Sequence, residues 1–371
     1  MKVLLLGFGK IAYMPYMNFY LDTLKDTENI TFELIYWDRD GKADAEVPKA
    51  ISKAYKFEAH IEEQLPFLKK LKYFIRYREF ALNILKNNRY DRIIVLHTTP
   101  GLTLLDYLIR KYRKRYLLDF RDVSYEYIWF YRKLVAMLSI NSALTFVSSD
   151  AFRKFLPNSG KVFTIHNYLE DSLKHMMIRK QFARVRNVIR ISFWGLVRQV
   201  DVNKKLMDAL GNDARFELHY YGRMQQDGRD MESYAKEKHY SNVFFHGAYM
   251  PDDRYDFALK TDIIHNVYDC GHTMGNAMAN KYYDGLIFGI PQVCTEGSFM
   301  GKLVKTKNIG AAIDLNSDTI ADDLYEYYQK IDWKKFDLDC NNTLSIILKE
   351  QDEVKRKLKK LIKGNTNEYF D

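Results

Sequence analysis

Short aliphatic runs alternate with longer amphipathic stretches along most of this 371-residue chain. Runs such as Val3-Leu4-Leu5-Leu6 and Ile93-Ile94-Val95-Leu96 are apolar at consecutive positions, which is typical of parallel strands covered on both faces. The stretches between the runs have the apolar spacing of helices. This alternation predicts stacked βαβ units, and hence an α/β fold with parallel sheets.

The alternation occurs twice, because it pauses in a polar and basic stretch at 170–187 and begins again at Val188. We therefore predict two similar domains, 1–170 and 171–345, followed by a basic helix and tail at 346–371. The predicted strands are 2–7, 32–36, 92–96, 116–119, 143–147 and 162–165, then 189–193, 216–221, 243–245, 263–267, 291–294 and 311–313. The predicted helices are 15–26, 61–87, 101–114, 125–140 and 149–156, then 202–210, 251–260, 280–288 and 317–330.

Composition excludes several other classes of protein. A chain with 47% hydrophobic and 15% aromatic residues is not disordered, and no apolar run approaches the roughly 20 residues of a membrane-spanning helix. Cys270, Cys294 and Cys340 are too few and too scattered for a disulfide framework or a CxxC metal site. We therefore expect a cytoplasmic protein.

Positive charge is concentrated in two stretches of the first half, 67–92 and 110–115, where apolar and aromatic residues are interleaved with it. Such stretches suit anionic lipid headgroups, although ordinary solvated helix faces would have the same composition. No recognised nucleic-acid module accompanies them, so we expect no nucleic-acid partner. The hypothesis is peripheral association with the inner face of the plasma membrane.

A glycine motif follows the first predicted strand. Gly7-Phe8-Gly9-Lys10-Ile11-Ala12 fits the G-x-G-x-x-G/A pattern of dinucleotide-binding loops, so an NAD-dependent oxidoreductase is one alternative. Met14-Pro15 interrupts the helix that should follow, and Asp38 or Asp40 comes about thirty rather than twenty positions later. A loop that faces a substrate, or a purely structural turn, would have the same glycines.

The second half carries a stronger signal in four consecutive segments: ISFWGLVRQVDVNKKLMDAL, FELHYYGRM, NVFFHGAYMPDDRYDFALKTDIIHNVYD and GNAMANKYYDGLIFGIPQVC. In this order they resemble the donor-binding half of GT-B glycosyltransferases, particularly the retaining family 4 type of bacterial capsule, exopolysaccharide and lipopolysaccharide assembly. The resemblance implies two Rossmann-like domains that face each other across a cleft. It also implies a nucleotide-sugar donor and no cofactor or metal ion.

The resemblance implies a role for each donor-side residue. Arg198, with Lys204 or Lys205, would neutralise the diphosphate, whose charge increases as the glycosidic bond breaks. Asp284 would accept hydrogen bonds from the ribose hydroxyls, one turn into a short helix closed by Gly289. The family's two Glu residues are replaced by Asn276 and Asp284. The remaining candidates are Gly195, Gly222 and Tyr249 near the diphosphate and base, and Gly275, Asn280 and Lys281 around the start of the helix.

On the acceptor side, polar residues follow strands of the first domain, at the edge where α/β folds place their chemistry. His97 and Asp122 are the catalytic candidates, His97 for contact with the sugar or acceptor and Asp122 as an acceptor base or an orienting group. A retaining reaction needs no strong base, because the departing phosphate can take the proton. The other acceptor-side candidates are Gly7, Gly9, Lys10, His166 and Asn167.

The resulting hypothesis is a metal-independent, retaining hexosyltransferase. It would move a sugar from a nucleotide-sugar donor to a glycan or lipid-linked acceptor during synthesis of a bacterial surface polysaccharide. Asp38-Arg39-Asp40 has the form of an Asp-x-Asp metal motif, but its place after the second strand favours a surface loop. Asn276 leaves open a non-catalytic partner subunit with the same fold, and the sequence also leaves a homodimer open.

Overall fold

The computed structural model describes residues 1–61, 67–178, 187–271 and 274–364. The start of the helix predicted at 61–87, much of the stretch 170–187, His272, Thr273 and the tail beyond Gly364 therefore lie wholly or partly outside the described residues. The chain forms two compact units: unit 1 comprises Met1–His166 and Glu350–Asp371, and unit 2 comprises Asn167–Lys349.

Unit 1 is built on one parallel sheet with the strand order β3-β2-β1-β4-β5-β6-β7 among its described residues. Every pairing in it is parallel, as the consecutive apolar runs predict. The strands are β1 (Lys2–Leu6), β2 (Thr31–Asp38), β3 (Ile51–Glu58), β4 (Arg92–Leu96), β5 (Tyr116–Phe120), β6 (Leu144–Val147) and β7 (Val162–Thr164).

Both faces of this sheet are covered. Along β1, Val3 and Leu5 enter one hydrophobic cluster while Leu4 and Leu6 enter another, because successive side chains of a strand point to opposite faces. The helices are α1 (Met17–Leu24), α2 (Phe67–Asn87), α3 (Thr98–Thr103), α4 (Leu105–Tyr112) and α5 (Trp129–Asn141), with short 3₁₀ turns at Ile11–Tyr13 and Asp150–Phe155.

Unit 2 repeats this plan with six described strands in the order β10-β9-β8-β11-β12-β13, again all parallel. The strands are β8 (Ile189–Trp194), β9 (Phe216–Tyr221), β10 (Val243–Gly247), β11 (Ile263–Asn266), β12 (Gln292–Thr295) and β13 (Gly310–Ile313). The helices are α6 (Val200–Leu210), α7 (Gln226–Glu237), α8 (Asp253–Lys260), α9 (Asn280–Phe288), α10 (Phe299–Thr306) and α11 (Ile320–Gln329).

The last helix, α12 (Trp333–Ile362), begins in unit 2, and its residues from Glu350 onward belong to unit 1. In unit 1, Val354, Leu358 and Leu361 pack into the same cluster as α1. The apolar face predicted from their helical spacing is therefore a core face of unit 1.

The order of strands determines where each unit can hold a ligand. In unit 1, successive strands are added on one side of β1 up to β3 and on the other side from β4 onward, so the strand order changes direction between β1 and β4. In unit 2 the same change occurs between β8 and β11. Ligands of open parallel sheets bind outside the carboxyl ends of the strands at such switch points. The loops after β1, β4, β8 and β11 are thus where each unit is expected to bind a ligand.

Candidate functional site

Three glycines lie at the carboxyl ends of adjacent strands of unit 2, Gly195 and Gly222 directly after β8 and β9 and Gly247 as the last residue of β10. Gly195, Gly222 and Gly247 all have positive φ, at 132°, 152° and 77°. The Gly195 N–H donates to the Tyr221 carbonyl at 3.0 Å, and the Gly222 N–H donates to the Gly247 carbonyl at 2.7 Å. A Cβ on Gly222 would lie 1.6 Å from the Gly195 carbonyl oxygen. Glycine is therefore required at Gly222, where it allows close contact between the loops that follow β8 and β9.

Arg198 is exposed in the loop after β8, where α6 begins. None of the carboxylates in the described chain forms a salt bridge with Arg198, whereas Arg190 and Arg215 of the same unit each pair with a carboxylate. Its neighbour Gln199 has the left-handed conformation with φ 68° and ψ 64°. A cation held at a switch point without a counter-charge is suited to binding an anion.

A buried polar pair holds the Arg198 turn. The Asn203 amide nitrogen donates to the carbonyl oxygens of Arg198 and Gln199, each at 3.0 Å, and its amide oxygen lies 2.8 Å from His265 Nε2. His265 Nδ1 accepts from the Val267 N–H at 3.0 Å, so Nε2 carries the proton and donates to Asn203. Burial lowers the pKa of His265 to about 3, which keeps the ring neutral.

The two candidate lysines on α6 have different partners. Lys204 Nζ lies 4.5 Å from the centre of the Tyr234 ring on α7. Lys205 Nζ donates to the Asn316 side-chain oxygen at 2.7 Å, in the loop after β13. Neither lysine forms a described salt bridge with a carboxylate, and the contacts do not choose between them as partner of Arg198.

Lys281 lies in the first turn of α9 and is buried rather than exposed. Its ammonium donates to the Tyr268 hydroxyl and lies 3.9 Å from the centre of the Phe193 ring. Burial lowers the pKa of Lys281 to about 7, with Asp284 opposing the shift and Arg198 adding to it. The nearby charge of Asp284 only partly offsets the cost of burying a charged Lys281. A nearby anion would therefore favour the charged form of this lysine.

Asp284, one turn further along α9, is also buried. Its carboxylate accepts a hydrogen bond from Trp194 Nε1 at 2.8 Å. Burial raises the pKa of Asp284, while this bond and the charges of Arg254 and Lys281 oppose the increase. Asn280 precedes both residues and is exposed at the start of the helix. α9 ends at Phe288 with Gly289 at φ 70°, as the sequence predicts.

The remaining donor-side candidates lie in two loops of unit 2. Gly275 is buried in a 3₁₀ turn at Met274–Asn276, and a Cβ there would lie 2.7 Å from the Cys270 carbonyl oxygen. The adjoining His272 and Thr273 are outside the described residues. Tyr249 follows β10 and packs edge-on against Phe257, with the ring centres 5.2 Å apart.

In unit 1, His97 follows β4 with the strained positive φ of 93°, and its Nδ1 accepts from the Thr99 N–H at 3.2 Å. Burial lowers the pKa of His97, and the charge of Asp122 opposes this shift. Asp122 is exposed in the loop after β5, while Asp119 lies inside the strand and pairs with Arg121 at 2.7 Å. The two catalytic candidates are thus close enough to interact electrostatically.

The glycine loop after β1 is occupied by the chain's own acidic residues. The N–H groups of Ile11 and Ala12 donate to the two carboxylate oxygens of Asp44 at 3.0 and 2.9 Å. Lys10 Nζ pairs with Asp40 and also donates to two backbone carbonyls. The amides that would hold a pyrophosphate in a dinucleotide site therefore already bind a carboxylate.

The last two acceptor-side candidates are in the segment where the chain leaves unit 1. His166 Nε2 lies 2.8 Å from a carboxylate oxygen of Glu350, and the His166 N–H donates to the Gln351 side-chain oxygen at 2.9 Å. Both partners are on α12, so His166 anchors that helix within unit 1. Asn167 is half-buried and is the first residue of unit 2.

Within the described ranges, no three His, Cys, Asp or Glu side chains converge as metal ligands would. No described helix is both long enough and apolar enough to cross a bilayer.

No family model matches the chain, and no curated protein matches it by sequence. Solved structures do match it over nearly its whole length. Sucrose-phosphate synthase from Thermosynechococcus elongatus is 10% identical with a TM-score of 0.70, and the match covers 98% of both chains. Anabaena Alr3699/HepE in complex with UDP-glucose is 13% identical with a TM-score of 0.64, covering 97% of this chain and 99% of that one. WaaG, a glycosyltransferase involved in lipopolysaccharide biosynthesis, is 13% identical with a TM-score of 0.57, covering 98% and 100%.

The chain has the GT-B fold. The α/β architecture with two parallel sheets that the sequence predicts is thereby confirmed. Several residues of this GT-B chain were not predicted from the sequence. Most of them support the predicted candidates through hydrogen bonds.

Trp194, Asn203, His265 and Arg254 are the missed residues of unit 2. Arg254 is buried at the start of α8, and no described acceptor pairs with its Nε, although its terminal nitrogen donates to the Tyr255 hydroxyl at 3.2 Å. The sequence does contain a signal for two of them, because Asn203 and His265 are polar residues at positions whose neighbours predict burial.

Proposed function

We propose that this chain is a glycosyltransferase whose unit 2 binds a nucleotide-sugar donor and whose unit 1 binds a glycan or lipid-linked acceptor. The main support is the switch point of unit 2, where Arg198 is exposed without a described carboxylate partner, beside three loops that close on glycine. That arrangement leaves room and positive charge for a diphosphate. HepE, which has the same fold, was solved with UDP-glucose.

The reaction that fits these residues is transfer without a metal ion and with retention of configuration. The bond from the anomeric carbon to the diphosphate breaks, and its electron pair goes to the leaving oxygen. Arg198 and one of the α6 lysines stabilise that charge, with Lys281 nearby. The acceptor hydroxyl forms the new bond, and its proton passes to the departing phosphate, so that His97 and Asp122 only orient the reactants.

The finer assignment is a hexosyltransferase of bacterial surface polysaccharide synthesis, acting at the cytoplasmic face of the membrane. It is supported by the resemblance of the four donor-side segments and by the shared fold with WaaG, which acts in lipopolysaccharide biosynthesis. The basic residues of α2 and of 110–115 would serve contact with anionic lipid.

Isothermal titration with UDP, with UDP-glucose and with NAD tests the proposal against the oxidoreductase alternative. We expect binding of the uridine compounds and none of NAD, because Asp44 occupies the amides that NAD would need. Binding of NAD without binding of any nucleoside diphosphate would overturn the proposal. Hydrolysis of a nucleotide sugar in the presence of EDTA would separate an active enzyme from a non-catalytic partner subunit.

A further inference from the structure

The outer face of α5 exposes large apolar side chains that nothing in the described chain covers. Trp129 is 68% exposed, Phe130 55%, Met137 46% and Ile140 49%. These four residues recur at a spacing that keeps them on one side of the helix, since Phe130 and Met137 are two turns apart and Trp129 and Ile140 three turns apart. The opposite side of α5 is buried through Val135 and Leu138. We call these four exposed residues the α5 stripe.

Basic residues surround the α5 stripe. Lys133 Nζ lies 4.3 Å from the centre of the Trp129 ring, and Arg132 directly precedes Lys133 in the sequence. At the end of the helix, Lys114 Nζ and Lys161 Nζ both donate to the Ile140 carbonyl oxygen. Basic groups thus lie near both ends of α5.

Acidic residues do not balance this charge. Between 125 and 161 the sequence contains five basic residues and only two acidic ones, Glu126 and Asp150. Glu126 is fully buried, and Asp150 pairs with Arg153 at 2.9 Å. Arg132 and Lys133 therefore give the rim of the stripe a positive charge, whereas burial and the neighbouring Lys114 lower the pKa of Lys161 to about 7.

Apolar side chains with a basic rim match an anionic bilayer surface. Aromatic side chains favour the interfacial region of a bilayer, at the depth of the lipid headgroups, and lysine and arginine bind the lipid phosphates. A second copy of the chain is a poorer partner, because a symmetric contact would bring two positive rims together.

We propose that the α5 stripe docks unit 1 on an anionic lipid bilayer, with Trp129 and Phe130 inserted among the headgroups. α5 begins seven residues after Asp122, at the carboxyl edge of the unit 1 sheet. Docking there would bring His97 and Asp122 towards the level of the headgroups of a lipid-linked acceptor. This surface differs from α2 and shares only Lys114 with the stretch 110–115. Although it deepens the proposed function, the docking itself does not require the donor site to be correct.

The test is flotation of the full chain with vesicles of equal phosphatidylglycerol and phosphatidylcholine, and with vesicles of phosphatidylcholine alone. We expect binding to the anionic vesicles that weakens at high salt. The double variant Trp129→Ser/Phe130→Ser should bind them at least about tenfold more weakly, because each inserted ring contributes apolar burial. Its UDP affinity should equal that of the wild type.

Two matched controls make the result specific. Leu338→Ser/Ile346→Ser removes similarly exposed apolar side chains from the part of α12 in unit 2, and vesicle binding should not change. Leu71→Ser/Ile75→Ser removes the exposed apolar residues of α2. Loss of binding in the α2 variant but not in the α5 variant would overturn the proposal.

A second measurement addresses self-association. Light scattering during size exclusion should give the same mass for the wild type and the α5 double variant. A wild-type dimer that the double variant converts to a monomer, with vesicle binding unchanged, would assign the stripe to a second copy instead. Failure of UDP to bind either protein would refute the donor proposal and leave the docking result standing.

Discussion

Two glycine-containing loops occupy equivalent places in the two sheets: Gly7–Lys10 follows β1 in unit 1, and Gly195–Arg198 follows β8 in unit 2. Both strands lie at the switch point of their sheet. In unit 1 the loop's cation pairs with Asp40, and the amides after it bind Asp44. In unit 2 the cation is exposed and has no described carboxylate partner.

The comparison teaches that topology locates a site, whereas the local balance of charge decides what the site can bind. An anion entering the unit 1 loop would have to displace two carboxylates of the chain itself. An anion entering the unit 2 loop would displace only water from Arg198. The following predictions test this difference.

The largest effect is expected from removing the unit 2 cation. Arg198→Ala should weaken UDP binding by about 2 to 5 kcal/mol, as expected for loss of a charged hydrogen bond to the diphosphate. Lys10→Ala in unit 1 should leave UDP affinity unchanged, because Lys10 is already neutralised by Asp40. Isothermal titration of both variants measures the contrast. If both variants lost UDP affinity equally, the two loops would not differ in their ability to bind a diphosphate.

Gly222, which follows β9 and touches the unit 2 loop, and Gly9 of the unit 1 loop should differ in the same direction. Gly222→Ala should lower the stability of unit 2 by about 3 kcal/mol, because the new Cβ would collide with the Gly195 carbonyl and φ is 152°. Gly9→Ala should be nearly neutral, since no described atom lies within 4 Å of the added Cβ. Thermal unfolding of the two variants compares them directly. A Gly222→Ala protein as stable as the wild type would show that the two loops do not touch.

The turn that carries Arg198 should depend on its buried support. Asn203→Ala removes two hydrogen bonds to the turn and leaves the His265 Nε2–H without an acceptor, which should cost about 2 kcal/mol of stability. Because the turn then loosens, UDP affinity should also fall, by about tenfold. Asn203→Asp restores the acceptor for His265 but loses the two donors. If it binds UDP like the wild type, Asn203 does not position Arg198.

A proton should accompany donor binding. Burial lowers the pKa of Lys281 to about 7, so near pH 8 the amine is mostly neutral in the empty protein. A diphosphate nearby would raise that pKa, and binding should take up as much as about one proton. Titration of UDP at pH 8 in buffers of different ionisation enthalpy measures this number, and Lys281→Met should reduce it to zero. No proton uptake by the wild type would place Lys281 away from the diphosphate.

The same pKa has a consequence for stability. Because the folded pKa of Lys281 is below its unfolded value, the unfolded chain binds more protons between the two values. Stability therefore rises with pH from about 7 towards 10.5 through this residue. The pH dependence of chemical denaturation should be flatter across that range in Lys281→Met.

The smallest effect is expected in the unit 1 loop. Asp44→Ala should cost about 1 kcal/mol of stability, since the N–H groups of Ile11 and Ala12 lose their acceptor but remain partly accessible to water. UDP affinity should not change. A gain of NAD binding in this variant would show that Asp44 alone distinguishes the loop from a dinucleotide site.

Much of the fold follows from local sequence patterns. All the predicted strands occur, and the helix predicted at 280–288 has those bounds in α9. β3, α7 and α10 are not predicted from the sequence. β3 pairs only with β2 at the sheet edge and carries Lys53, Lys56 and Glu58, so it lacks the apolar run used to recognise buried strands. α7 is similarly rich in polar residues and buries few of them.

The candidate site was predicted less completely. Sequence reasoning placed Arg198 and the glycines correctly at strand ends, because a strand followed by glycine is a local signal. The sequence predicts donor-binding roles for Asp284 and Lys281 in the first turns of α9, whereas the structure shows that both side chains are buried. Their burial depends on Trp194, Tyr268 and Phe193, which come from other strands and loops.

The sequence by itself determined the α/β alternation, its repetition in two halves and the turns at which glycine is required. These features follow from side-chain periodicity and backbone conformation, which act over a few residues. Only the tertiary structure decided which polar groups are paired and which side chains stay exposed: Asp44 meets the loop after β1, Asn203 meets His265, and the α5 stripe is exposed. Pairing of charges depends on which distant segments come together, and no local pattern encodes that.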